Sequence, residues 1–135
     1  MKVYVGYSVA ITLVITMISM PAVLAGVEES GTWTSKAYEA SGSWSIVEEG
    51  GKQYVVLSSD FSTKSAPDLK LFLSPTGLGE VNGKNATSGS VLVAKLKSNK
   101  GSQKYEIPAG VDLSRYKTIL IHCEKFSKLW SGAAL

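Results

Sequence analysis

The sequence predicts an all-β fold, a two-sheet antiparallel β-sandwich or a partly closed barrel, from three observations. The chain is rich in Gly, Ser, Thr and Val, and its apolar residues form short runs that alternate with polar ones. Turn-forming residues interrupt these runs at short intervals, as they do in sandwiches and barrels. After residue 25, no apolar pattern of helical period extends beyond about two turns.

Residues 1–25 have a different pattern, which predicts an N-terminal signal helix. Lys2 supplies a positive start, an apolar stretch runs over residues 9–18, and Pro21 ends it. Val23 and Ala25 are small enough for the −3 and −1 positions of a cleavage site, so we expect cleavage after Ala25. An uncleaved membrane anchor is the alternative, but the apolar stretch is shorter than the roughly 20 residues of a spanning helix.

This reading predicts an extracytoplasmic protein, periplasmic or secreted, without a stable membrane span after cleavage. No cysteine follows the cleavage site, so lipid anchoring is not indicated. Removing 25 of the 135 residues leaves 110, enough for one small core. We expect a short linker over residues 26–30 and a single β domain over residues 31–135.

The charge pattern does not predict a nucleic-acid partner. The formal net charge of the full chain is +3, and Lys2 leaves with the signal. The remaining charges are scattered, and the densest basic group, Lys95, Lys97, Lys100 and Lys104, has no interleaved aromatic residues. Nucleic-acid binding normally needs a more concentrated positive field.

The first half of the domain predicts a hairpin and a further strand. Residues 41–47 alternate, with Trp44 and Ile46 on one side, and the turn at residues 48–51 leads into a return strand over residues 52–58. A second alternating run, residues 69–73, follows the sequence Ala-Pro-Asp.

The second half begins with a long polar stretch, residues 74–89, which we interpret as a surface loop. The strands over residues 91–96 and 102–107 then bracket Lys100-Gly101, which predicts a second hairpin. Residues 108–116 form a turn with one helical turn near Asp112, and residues 126–135 close the chain.

The segment 118–124 is the most strand-prone of the chain. Alternation places Ile119, Ile121 and Cys123 on one face, and this apolar face is expected to meet the core. His122 lies on the opposite face, with Leu120. Adjacent strand residues point to opposite sides, so His122 and Cys123 cannot jointly bind one metal ion without a bulge.

Cys123 is the only cysteine of the chain, which is unusual in an exported protein. It cannot form an internal disulfide, and it is either an inert buried thiol, an intermolecular partner or a reactive group. Free cysteines are commonly buried. A redox thiol needs partial exposure and a stabilised thiolate, for which His122, Lys125 and Lys128 are the nearest cations in sequence.

The residue counts argue against a cofactor held by one chain. Blue copper needs two histidines and usually a methionine, whereas residues 26–135 contain one histidine and no methionine. Haem attachment, iron–sulfur and structural zinc sites need further cysteines or histidines. A haem held by His122, or a metal shared between two chains, remains open. No G-x-S-x-G motif accompanies His122, so a hydrolase is not indicated.

Acidic and aromatic residues supply the remaining candidates. Asp60, Asp68 and Asp112 lie near predicted turns, where they could bind calcium or handle protons, although turn and capping roles suit aspartate as well. Trp33 and Trp130 lie near the two ends of the domain and could form a surface platform for a partner or a carbohydrate.

Several segments, taken in order, resemble one known family. They are Gly42-Ser43-Trp44, Asp60-Phe61, Pro67-Asp68-Leu69, Leu71-Phe72-Leu73-Ser74, the run from Gly101 to Pro108, the run from Asp112 to Tyr116, the run from Ile119 to Phe126, and Gly132-Ala133-Ala134-Leu135. Over residues 31–135 the chain resembles the DM-thirteen domain family, which occurs beside DOMON domains in animal proteins and as small secreted proteins in bacteria.

The resemblance implies an all-β extracytoplasmic domain with an electron-transfer or redox role centred on the position of Cys123. The family commonly has tryptophan where this chain has His122. Our candidate site therefore has Cys123 as the redox thiol and Asp68, Tyr105, His122 and Trp130 as binding residues, with no metal ligands.

Two functions follow from these observations. The first is a redox accessory, not an enzyme on its own, that works with a redox partner protein through Cys123. The second is a non-enzymatic binding or adhesion module that uses the 74–89 loop and exposed aromatic residues, with Cys123 as a buried structural residue.

Overall fold

The computed structural model describes residues 26–135, together with Gly6 and Ile15. The predicted signal segment otherwise lies outside the described residues. The domain is built from strands, with one short 3₁₀ turn at Leu113–Arg115. The strands are β1 (Gly26–Thr32), β2 (Thr34–Ser35), β3 (Ala40–Ser41), β4 (Ser43–Glu49), β5 (Lys52–Leu57), β6 (Ser62–Thr63), β7 (Leu69–Ser74), β8 (Val91–Lys95), β9 (Gln103–Glu106), β10 (Thr118–Cys123) and β11 (Lys128–Ala134).

The strands form two main antiparallel sheets, which confirms the predicted all-β sandwich. One sheet has the order β1-β4-β5-β9, the other has the order β2-β11-β10-β7-β8, and β3 and β6 form a separate small pair. Neither main sheet closes into a barrel. The segment 26–30, which the sequence predicts as a linker, is the first part of edge strand β1 and pairs with β4.

The predicted hairpin of β4 and β5 is confirmed, and their register is regular from Trp44–Leu57 to Glu49–Lys52. The second predicted hairpin is wrong. β8 pairs with β7, whereas β9 pairs with β5 in the other sheet. The seven residues between them therefore cross from one sheet to the other, a change that local alternation cannot show.

The main core lies between the two sheets. It includes Trp44, Ile46 and Val55 from one sheet and Leu71, Ile119, Ile121 and Cys123 from the other, all fully or almost fully buried. The predicted faces of β10 are confirmed, because its odd-numbered residues from Ile119 to Cys123 all belong to this core. Apolar burial between two sheets is the main stabilising contribution in such a fold.

A second, smaller cluster lies on the outer face of the five-stranded sheet. Its buried members are Phe72, Val81, Ala86, Leu120 and Leu129. Val81 and Ala86 belong to the 74–89 segment, which crosses this face and covers it. β10 is therefore buried on both faces, although a half-exposed antiparallel strand is the commoner arrangement. Within the described residues, no helix has the length and apolar character needed to cross a membrane.

Candidate functional site

Cys123 lies at one end of the five-stranded sheet. It is the last residue of β10, and it pairs with Leu69 at the start of β7 and with Lys128 at the start of β11. Its side chain faces the main core and is 0% exposed. The partial exposure that a reactive thiol needs is therefore absent in this closed arrangement.

The turn that follows Cys123, residues 124–127, is fastened to Asp68. The Lys125 amide donates a hydrogen bond to Asp68 Oδ2 at 2.9 Å, and the Glu124 amide donates to the Asp68 backbone oxygen at 3.3 Å. All four turn residues are exposed. The sequence-predicted residue Asp68 thus lies beside Cys123, where it holds the exposed turn against the start of β7.

Lys70 joins the two carboxylates of this region. Its Nζ lies 2.7 Å from Glu124 Oε2 and 3.3 Å from Asp68 Oδ1. The hydrogen bond to Glu124 is the main reason that the pKa of Lys70 is raised. Desolvation alone would raise the pKa of Asp68, but the hydrogen bond and charge of Lys70, the Lys125 amide and the charge of Lys95 together outweigh it and lower this pKa. We call Asp68, Lys70 and Glu124 the latch.

His122 lies next to the latch on the outer face of the sheet and is 2% exposed. Its ring meets the edge of Phe72 with 5.9 Å between centroids, and its Nδ1 has no hydrogen-bond partner within the described part of the chain. Desolvation lowers the pKa of His122, and the charges of Glu124 and Asp68 oppose this effect in part. A neutral imidazole under an apolar cover is the state that this environment favours.

The loop that covers the outer face of the sheet also contacts the turn after Cys123. Gly83 approaches the turn so closely that an added Cβ would lie 2.1 Å from the carbonyl oxygen of Ser127. Ser127 itself has a left-handed backbone with φ of 46°, which is uncommon for a residue with a side chain. The turn is therefore held from two sides, by the latch and by the backbone near Gly83.

The prediction that Trp130 could be surface-facing is wrong, because it is only 4% exposed. A bulge opposite Ile121 and His122 leaves Trp130 outside the regular register, so that Leu129 packs in the outer cluster and Trp130 in the main core. The indole Nε1 donates a hydrogen bond to the Lys64 carbonyl oxygen at 3.1 Å. No indole platform is available here for a carbohydrate.

Tyr105 is also buried, on β9 in the other sheet. Its hydroxyl accepts a hydrogen bond from the Lys97 amide at 2.8 Å and donates one to Gln103. Burial raises the pKa of Tyr105, although the Lys97 amide opposes this in part. Since its hydroxyl is already paired, Tyr105 is placed as a core residue and not beside the latch.

The three aspartates do not form a common site. Asp112 caps the 3₁₀ turn by accepting from the Ser114 amide at 3.1 Å, and Asp60 accepts from the Ser58 hydroxyl. Within residues 26–135, no group of three or more His, Cys, Asp or Glu side chains is arranged to hold a metal ion. The structure therefore brings together Asp68, His122 and Cys123 from the predicted set and separates the others.

The sequence pointed to Lys125 and Lys128 as cations near Cys123, but it did not indicate Lys64, Lys70 or Tyr38 at this end of the sheet. Tyr38 stacks on Trp130 with 4.1 Å between ring centroids, and the ammonium groups of Lys64 and Lys128 lie 4.6 and 5.8 Å from the Tyr38 centroid. Alternation alone could have placed Lys70 on the face of His122, but no local signal links residues 36–38 or Lys64 to β11.

Comparison with protein-family models gives a match over most of the chain. A family model described as electron transfer DM13 matches residues 32–135. The chain belongs to the DM13 family. The match covers the whole sandwich except the first six described residues of β1, and it includes Cys123 and the latch. Searches of curated proteins and of solved structures find no match to the chain.

Proposed function

We propose that this protein is an exported electron-transfer domain in which Cys123 is the redox group. The observation that carries the proposal is the match of residues 32–135 to the electron transfer DM13 family. Export is supported by the signal-like pattern of residues 1–25, and an unpaired cysteine is unusual in that compartment.

Because Cys123 is buried, its thiol can react only after part of the sheet opens. The thiol lies at the outermost pair of β10 and β11, next to four exposed turn residues, so that opening only this end of the sheet would expose the sulfur. Local opening of this kind costs less than global unfolding. A cavity of about 220 Å³ lies against Leu69, the β7 partner of Cys123, and offers space on the neighbouring strand.

Once exposed, Cys123 would react with a partner disulfide by thiol–disulfide exchange. The Cys123 thiolate attacks one partner sulfur, a mixed disulfide forms, and the other partner sulfur leaves as a thiolate. Since the chain has a single cysteine, a dithiol of a second partner must resolve the mixed disulfide. Its first thiolate attacks the Cys123 sulfur and releases the first partner as a dithiol, and its second thiol then closes the second partner's disulfide and releases the Cys123 thiolate. The two electrons then pass from the second partner to the first.

The direct test is reaction of the native protein with glutathione disulfide, followed by intact mass. We expect a single glutathione adduct that forms faster than the protein unfolds and that is absent from Cys123→Ser. An adduct that appears only at the rate of global unfolding would show that Cys123 is structural. N-terminal sequencing of the protein from its native compartment tests export, with Gly26 as the expected first residue.

The complete burial of Cys123 favours a second function, a binding module with a structural cysteine. In that case Cys123→Ser would keep partner binding and lose only stability. The glutathione experiment separates the two functions, because a structural cysteine reacts only after unfolding.

A further inference from the structure

We propose that the turn after Cys123 and the lysines around Tyr38 form a docking face for an acidic partner protein. We call this surface the basic face, and it consists of Lys36, Tyr38, Lys64, Lys125, Phe126 and Lys128. The inference rests on the proposed electron-transfer function, because it assigns a partner to the end of the sheet where Cys123 lies.

Contacts place these lysines together. The ammonium groups of Lys64 and Lys128 both lie over the Tyr38 ring, at 4.6 and 5.8 Å from its centroid. The backbone of residues 36–38 is hydrogen-bonded to Leu129 and Trp130, directly after Lys128. Lys125 lies on the exposed turn that leads to Lys128, with its ammonium group 5.9 Å from the centroid of the Phe126 ring.

The positive charge of the basic face is not neutralised within the chain. Lys36, Lys64, Lys125 and Lys128 are exposed, and none of them forms an ion pair with a carboxylate of residues 26–135. The nearby Glu124 is engaged by Lys70. By contrast, Lys95 and Lys104 of the other basic group each have a carboxylate within 4.0 Å. The basic face is therefore the stronger attractor for an acidic surface.

A groove and an exposed aromatic residue give this face its shape. The groove has a volume of about 330 Å³, and its lining includes Lys36, Lys128, Gly83 and Ser127 but no carboxylate. Phe126, at the tip of the turn, is 57% exposed. An exposed aromatic residue surrounded by cations is typical of the anchor of a protein interface, where it enters a partner pocket while charges steer the approach.

The occupant that these features favour is a protein and not a membrane. Interfacial membrane binding uses an apolar surface built from several side chains. Phe126 is the one large exposed apolar residue of this face, because the others described, Ile15, Val27 and Leu92, belong to neither the turn nor residues 36–38. An acidic partner would meet the lysines and reach the turn that must open to expose Cys123.

The test is a titration of the ¹⁵N-labelled protein with a decaglutamate peptide, followed by amide chemical shifts at 20 mM and 300 mM NaCl. We expect shifts at residues 36–38, 64 and 125–128 that weaken at high salt, since added salt screens exposed charges. The double variant Lys125→Gln/Lys128→Gln should bind the peptide about tenfold more weakly. The matched control, Lys97→Gln/Lys100→Gln, should bind like the parent protein.

A second peptide, with two leucines between two runs of five glutamates, tests the aromatic anchor. Phe126→Ser should weaken binding of this peptide roughly threefold, and it should weaken decaglutamate binding less, because decaglutamate has no apolar side chain for Phe126 to contact. The same titrations on Cys123→Ser keep the result independent of thiol chemistry. If Cys123→Ser retains peptide binding while the parent protein does not react with glutathione disulfide, then the proposed redox function is wrong. The docking role of the basic face is supported in that case.

Two outcomes would overturn the proposal. The first is the absence of localised shifts, or equal losses in the variant and its lysine control. The second is Phe126-dependent binding to phosphatidylglycerol vesicles without binding of either peptide, which would assign the face to an anionic membrane.

Discussion

The two faces of β10 are both buried, but different structures cover them. The inner face, with Ile119, Ile121 and Cys123, packs against a second sheet within a large core. The outer face, with Leu120 and His122, is covered by the 74–89 loop and belongs to a much smaller cluster. A sheet gives a rigid cover, whereas a loop has fewer apolar contacts and more freedom to relax. Although both faces are buried, residues on the two faces should therefore contribute differently to the free energy of unfolding.

The largest difference should come from truncating neighbouring residues on the two faces. Ile121→Ala should lower the free energy of unfolding by about 4 kcal/mol, and Leu120→Ala by about 2.5 kcal/mol. Both side chains are 0% exposed, so they lose the same kind of burial. The difference between the two losses therefore reports how far the residues around each site can move in to fill the cavity. Urea denaturation measures both values. Equal losses would mean that the loop is as rigid a cover as the second sheet.

Gly83→Ala tests how the loop is held to the turn after Cys123. The added methyl group would meet the Ser127 carbonyl oxygen, so the loop or the turn must shift, at a cost of about 2 kcal/mol. Gly79→Ala is the matched control, because nothing lies within 4 Å of the added Cβ there. Thermal unfolding and amide exchange at residues 120–122 measure the effect. Identical behaviour of the two variants would contradict the contact.

Asp68→Asn tests the latch with almost no change in shape. Asparagine can still accept from the Lys125 amide, but it loses the attraction to Lys70 and Lys95. At low salt, we expect a thiol-specific reagent to label Cys123 about fivefold faster in Asp68→Asn than in the parent protein. Added salt should reduce this difference in labelling rate. Asp112→Asn, at the 3₁₀ turn, should label at the parent rate. If Asp68→Asn also labels at the parent rate, then the latch does not control access.

The smallest effect should be a pH dependence due to His122. The pKa of His122 is lowered in the folded protein, whereas in the unfolded chain it has its ordinary value of about 6.5. Between these two pKa values, the unfolded chain therefore binds more protons than the folded protein. The stability that the neutral ring contributes is present above the ordinary value and is lost as the pH falls from it to the folded pKa. Lys70 and Glu124 flank His122 on this face, and Phe72, Leu120 and Leu129 supply its apolar neighbours.

Urea denaturation at several pH values between 7.5 and 5.5 measures how steeply the free energy of unfolding changes with pH. His122→Leu should make this pH dependence weaker, because leucine does not titrate. If the pH dependence of the variant equals that of the parent protein, other titrating groups cause it.

Local alternation was enough to predict β4, β5, β7, β8, β9, β10 and the inner face of β10, but it did not reveal β1, whose first residues were expected to be a linker, or β11. The pairing of β8 and β9 with different sheets could not be predicted, because it depends on a crossover between sheets. The burial of the outer face of β10 also escaped prediction, because the segment that covers it is mostly polar and contributes few apolar residues, such as Val81 and Ala86. At the site, Asp68 was singled out from its turn position, but its contact with Lys125 spans 57 residues and has no local signal.

The most direct test of the account is the urea dependence of Cys123 labelling in the native protein. Local opening of the sheet end exposes little surface, so we predict a labelling rate nearly independent of urea at low concentrations, well below the transition. The rate should rise steeply only when global unfolding takes over. If the labelling rate follows the global unfolding equilibrium from zero urea upward, then Cys123 is reached only by unfolding and cannot be the redox group of a folded domain.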